Sequence, residues 1–157
     1  MYTICMNLKM RIIPVLAAVL LASCSNNASN KQSSSAFDIA KEQEINLVDC
    51  LSQKEEQYLV FFHSETCSKC QQIIGDVIEF ANANIVTTYF LDIKKAGNEI
   101  QTCTADELVL GVDNVDDLRI LGTPTIIKVE NGTTVANVAG KEKCLTFLNE
   151  QRMDDKK

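Results

Sequence analysis

The constraint that shapes everything else in this chain is the segment Cys67-Ser68-Lys69-Cys70, placed between a continuous apolar run and an amphipathic one. The run before it, Tyr58-Leu59-Val60-Phe61-Phe62, suits a strand buried on both faces. After it, Ile73, Ile74, Val77, Ile78 and Ala81 recur at spacings of three and four, so they share one face of a helix reaching about Asn82. A cysteine at the first turn of such a helix meets unpaired backbone N–H groups and the positive end of the helix dipole, both of which favour its thiolate. Cys67 is therefore the candidate nucleophile. Cys70, one turn further on, is placed to attack a mixed disulfide on Cys67 and resolve it. Lys69 adds an ammonium near that sulfur if its side chain folds back, and with Ser68 it is the candidate for tuning the pair.

A lone C-x-x-C is open to two other readings, half of a zinc site and a purely structural disulfide. Zinc needs two further ligands, yet His63 is the only histidine and there is no second C-x-x-C. A structural disulfide here would close so short a loop that it would constrain the unfolded chain very little.

Around this segment the pattern alternates between strands and helices and predicts an α/β domain. Ile45 to Val48 reads as a short strand, Asp49 to Gln57 as a short polar helix, and Ile85 to Ile93 as a β-branched, aromatic strand. Thr104 and Glu107 have capping-box spacing, and Asp113 or Asn114 can cap a further turn bearing Val115, Leu118 and Leu121, so two short helices are expected there. Asn131-Gly132 separates Thr125–Val129 from Thr133–Val138 and predicts a hairpin, with a closing helix from Lys141 to Arg152.

Taken together, these features resemble the thioredoxin superfamily over Glu44 to Gln151. The resemblance rests on Leu59-Val60-Phe61-Phe62 leading into Cys67-Ser68-Lys69-Cys70, then Tyr89-Phe90-Leu91-Asp92, Gly122-Thr123-Pro124-Thr125, Asn131-Gly132 and Gly140. It implies a thioredoxin fold, a central mixed β-sheet flanked by helices, with an insertion between Asp92 and the strand that follows the proline. It also implies that Pro124 is cis against the cysteines and that Thr123 offers its backbone to an extended substrate segment. Some residues depart from the family pattern. Phe61 stands where cytoplasmic thioredoxins carry a buried carboxylate, His63 and Thr66 replace flanking tryptophans, and Gly75 replaces a helix-kinking proline. His63 is accordingly a candidate proton relay or thiolate partner. The insertion carries Cys103, read either as part of a surface elaboration or as an extra redox thiol. Cys50 and Cys144 have apolar neighbours and are expected to be small buried hydrophobes.

The N-terminal residues bear on compartment. Lys9 and Arg11 precede an apolar stretch from Ile12 to Leu21, long enough for a signal-peptide core and short of the roughly 20 residues a spanning helix needs. It closes on Leu21-Ala22-Ser23-Cys24, which resembles the lipobox of bacterial lipoproteins and implies lipid on Cys24. The expected organisation is a leader over 1–23, a lipidated cysteine and tether over 24–36, and a thioredoxin-like domain over 37–157. The tether, Ser25 to Ala36, is rich in Ser and Asn, and a flexible chain of that length reaches on the order of 20 Å. Loss of the leader lowers 15 basic residues to 13 against 21 acidic ones, moving the net charge from −6 to −8, which argues against nucleic acid as a partner.

The expected function is a membrane-anchored, extracytoplasmic thiol–disulfide oxidoreductase of the bacterial envelope, acting on protein dithiols and disulfides and served by an envelope redox partner. No metal or organic cofactor is required. The alternative is a non-catalytic thioredoxin-like adaptor in an envelope or peptide-export complex.

Overall fold

A computed structural model describes residues 36–105, 108 and 110–154. The expected leader, Cys24 and nearly all of the expected tether lie outside the described residues, as do Asp106, Glu107 and Val109. Its centre is a four-stranded sheet in the order β2-β1-β5-β6, with β1 Gln57–His63, β2 Thr88–Asp92, β5 Thr125–Glu130 and β6 Thr133–Ala139. β1 runs parallel to β2 and antiparallel to β5, which pairs antiparallel with β6. The sheet is thus mixed and helix-flanked, as the resemblance implied.

Alternation along β1 sends side chains to two separate cores. Leu59 and Phe61 face helices α1 (residues 36–40), α2 (Ser68–Asn82) and α3 (Lys141–Asp154). There they meet Phe37, Cys70, Ile73, Ile74, Val77, Cys144, Phe147 and Leu148. Tyr58, Val60 and Phe62 face Cys50, Leu51, Leu91, Leu118 and Ile120 on the other side. β1 is buried along all but its first residue, which explains its unbroken apolar sequence. The expected helix at the cysteines runs to Asn82, and its buried positions include all five predicted apolar ones.

Between Asp92 and β5 the insertion contains a two-stranded parallel sheet, β3 Gln101–Thr102 with β4 Arg119–Ile120. A 3-10 turn, Val115–Asp117, is capped by the Asn114 side chain, which accepts from the Asp116 N–H at 3.0 Å. Asn114 is therefore the cap, but the second helix expected around Leu118 and Leu121 is replaced by β4. Leu118 and Ile120 are both buried against the sheet, a period of two that only extended backbone provides. The expected Thr104 cap has its partner Glu107 outside the described residues.

The start of the domain also differs from expectation. Ile45 donates its N–H to the Phe90 carbonyl at 2.9 Å, but only one bridge, Glu44 with Phe90, forms there. The Asn98 side chain takes the Leu47 N–H at 2.8 Å, and the chain turns into a 3-10 turn over Leu47–Asp49 instead of a strand. No helix follows to Gln57. That polar stretch has no apolar stripe to bury, and the Tyr58 hydroxyl donates instead to the Cys50 carbonyl at 3.1 Å. β2 begins at Thr88, later than Ile85, because Asn84 in the left-handed region at φ 52 turns the chain after α2. The predicted hairpin is present. Asn131 and Gly132 take φ 50 and 76, the two positive angles its two-residue turn needs. Among the described residues no helix is long and apolar enough to cross a membrane.

Candidate functional site

The loop joining β1 to α2 is a tight turn held by its own side chains. The Cys67 N–H donates to the Ser64 carbonyl at 3.1 Å, and the Ser64 and Thr66 hydroxyls lie 3.0 Å apart. Gln71 reaches back with its amide to the Glu65 carbonyl at 2.7 Å. Cys67 emerges from this turn as the N-cap of α2, with extended backbone, and its sulfur accepts the Cys70 N–H at 3.2 Å. An anion on that sulfur is stabilised by one of the helix's otherwise unpaired donors and by the dipole behind it.

Cys67 and Cys70 are joined as a disulfide, with Cα atoms 5.2 Å apart. Their surroundings are unequal. Cys67 is part-exposed, while Cys70 is fully buried on the inner face of α2. Of the two sulfurs, the Cys67 sulfur is therefore the one open to an incoming thiolate. Ser68 and Lys69 are both exposed on the first turn.

Facing Cys67 is the loop before β5. The Thr123–Pro124 bond is cis, Pro124 is buried, and the Thr123 carbonyl oxygen lies 3.5 Å from the Cys67 sulfur. Sequence reasoning did not find what holds this loop. The Thr125 hydroxyl donates to the Gly122 carbonyl at 2.6 Å and the Gly140 N–H to the Pro124 carbonyl at 2.8 Å. The only signal available was the buried-face threonine directly after the proline. Thr123, Pro124, Cys67 and Cys70 thus come together at one end of the sheet, 56 residues apart in sequence at the point of contact.

His63 sits four residues before Cys67 on the α2 side of β1. It is 5% exposed and packed among Phe37, Phe61 and Phe90, and neither ring nitrogen has a partner. A small cavity beside it is lined by Phe37, Ala40, Lys41, Glu44, Glu65 and Asp92. Burial lowers the imidazole's pKa from 6.5, against the smaller opposing pull of the Asp92, Glu44 and Glu65 carboxylates. The unfolded chain therefore binds a proton on His63 that the folded one resists. Stability from this group is fully present above about pH 6.5 and is lost as pH falls through the folded value. Urea midpoints should drop from pH 7.5 to pH 5 in the wild type, and His63→Phe should flatten that dependence; equal slopes in both proteins would refute this account.

Phe61, at the family's carboxylate position, is fully buried and meets Phe90 edge-to-face with ring centres 6.1 Å apart. Cys50 and Cys144 are buried as expected, and burial pushes their thiols up to about 12 and about 11. Cys103 is part-exposed, its N–H donating to the Ile120 carbonyl at 3.0 Å. Among the described residues no three His, Cys, Asp or Glu side chains group as metal ligands.

The thioredoxin-like domain matches residues 47–149, which include both cysteines and the Pro124 loop. The chain belongs to the thioredoxin superfamily. Solved thioredoxin-like structures share the fold at low identity. Oxidised mitochondrial thioredoxin 3 from Saccharomyces cerevisiae is 12% identical with a TM-score of 0.51, the match covering 73% of this chain and 97% of that one. A chain from a study of the thiol resolving mechanism in yeast mitochondrial 1-Cys peroxiredoxin via glutathione/thioredoxin systems is 14% identical, with coverages of 71% and 93% and a TM-score of 0.50. Chlamydomonas reinhardtii thioredoxin f2 is 16% identical, with coverages of 69% and 94% and a TM-score of 0.47. No curated protein matches the chain in sequence.

Proposed function

We propose that this thioredoxin-like protein is an extracytoplasmic thiol–disulfide oxidoreductase, held at a bacterial membrane by lipid on Cys24 and acting on disulfides of other proteins. The observation that carries the reading is the asymmetry of the pair: a part-exposed Cys67 capping α2, and a buried Cys70 whose N–H donates to the Cys67 sulfur. In the reducing direction, the Cys67 thiolate attacks a substrate disulfide, forming a mixed disulfide and releasing one substrate thiolate. Cys70 then loses its proton and attacks the Cys67 sulfur. The second substrate thiolate leaves, and Cys67–Cys70 is oxidised. The oxidising direction is the same sequence reversed, and an envelope redox partner restores the starting state. Thr123 meets the substrate chain through its backbone beside Cys67, with Pro124 closing the loop behind it. The lipobox-like segment and the Ser/Asn-rich tether support the membrane assignment.

In the reduced protein, Cys67 should react with iodoacetamide near neutral pH much faster than Cys50, Cys103 and Cys144, read by mass spectrometry of the labelled peptides. Uniformly slow labelling of all of them would defeat the proposal. The anchor is tested separately, because Cys24→Ala should release the protein from the membrane fraction.

A further inference from the structure

The proposed reaction uses Cys67 and Cys70, yet a third thiol is built into the same end of the fold. Cys144, in the first turn of α3, is fully buried, and its sulfur lies 3.8 Å from the Pro124 carbonyl oxygen and 3.5 Å from that of Val138. The single S–H proton is within reach of both carbonyls, Val138's being the nearer, so its donation is shared between them. The Pro124 carbonyl also accepts the Gly140 N–H at 2.8 Å, and Gly140 in turn accepts the Cys144 N–H at 3.0 Å. α3 therefore begins in a closed ring of contacts around one carbonyl. That carbonyl belongs to the residue after Thr123, whose own carbonyl faces Cys67 at 3.5 Å. Holding Pro124 by its oxygen fixes the Pro124–Thr125 peptide plane, the one next to the Thr123 backbone that faces Cys67.

We propose that Cys144 is a positioning residue: its thiol, donating to the Pro124 carbonyl from the start of α3, holds the Thr123 backbone where a substrate chain meets Cys67. This rests on the oxidoreductase reading for its consequence, but the clamp itself does not. Burial pushes this thiol up to about 11, so it stays protonated and remains a donor through the range in which Cys67 works. The same burial keeps it out of disulfide exchange.

The test compares Cys144→Ala, which removes the donor, with Cys144→Ser, which keeps one, in the full chain. Hydrogen exchange of the Gly140 amide reads the clamp without any need for activity, with the Leu148 amide further along α3 as control. In Cys144→Ala, Gly140 should exchange about tenfold faster than in the wild type, while Leu148 changes little and Cys144→Ser stays near wild type. In insulin-disulfide reduction driven by dithiothreitol, Cys144→Ala should raise KM about fivefold, the worth of one hydrogen bond, with kcat within about twofold. Cys144→Ser should restore KM.

Unchanged Gly140 exchange in Cys144→Ala would overturn the clamp, and so would equal acceleration in both variants, which is the signature of packing alone. Faster exchange with an unmoved KM in an enzyme that does reduce insulin would overturn the positioning role. A wild type that fails to exchange disulfides with insulin or any other protein refutes the oxidoreductase reading, and with it the positioning consequence. The exchange comparison would still decide the clamp.

Discussion

Cys67→Ser should abolish protein disulfide exchange, lowering the rate on the order of 10³-fold or more, while leaving the fold intact. The reason lies in the geometry. Cys67 is the part-exposed member of the pair, and a serine hydroxyl at the α2 N-cap retains the capping acceptor that the sulfur now provides to the Cys70 N–H. What the hydroxyl lacks is an accessible anion near neutral pH and a sulfur able to form the mixed disulfide. Cys70→Ser should behave differently. The first attack survives, resolution fails, and mixed disulfides with protein partners accumulate on Cys67, visible as bands on non-reducing gels that dithiothreitol removes. Loss of activity in both variants with no trapped species under oxidising and reducing conditions would count against the assigned order of attack. A Cys67→Ser,Cys70→Ser double variant that still restores the phenotype of a null strain would favour the adaptor reading.

The second large effect concerns stability. Phe61→Ala should cost about 3–5 kcal/mol, read from urea or guanidinium midpoints with the slope unchanged. Phe61 is fully buried in the central strand, packed edge-to-face on Phe90 and stacked near the His63 ring. Its removal leaves a cavity between β1 and α2 that a close-packed core refills only in part. A loss that size takes much of a small domain's total stability. Phe61→Asp would place the family's carboxylate here, but among aromatic neighbours it adds an unpaired buried charge to the same cavity and should be worse. If Phe61→Ala costs less than about 1 kcal/mol, the packing described around β1 is wrong. A substrate-turnover assay on the folded fraction would separate this loss from any chemical role.

Much of the site was visible in the amino-acid order because local physics governs it. An apolar run buried on both faces, a helix whose stripe starts after Cys67, and Asn131-Gly132 with its two positive φ angles are written in neighbouring residues. β1, α2 and the β5–β6 hairpin formed where those signals put them. The departures occur where long-range partners outvote local preference. Ile45 to Val48 has strand-like residues, yet Asn98, far along the chain, captures the Leu47 N–H and bends it away. Leu118 and Leu121 have helical spacing, yet burial of Leu118 and Ile120 together requires extended backbone.

The C-x-x-C at the head of a helix, and with it the choice of candidate nucleophile and resolver, was legible in the sequence alone, because capping and dipole effects act within one turn. Only the tertiary structure decided which sulfur meets solvent and what faces it. Exposure of Cys67, burial of Cys70, the Thr123 carbonyl opposite and the Cys144 clamp behind Pro124 all depend on β5 pairing with β1 and on α3 packing against α2 and β6. Those contacts join residues as far apart as Cys67 and Thr123. No local spacing encodes them, since they exist only once two hydrophobic cores have formed on either side of the sheet.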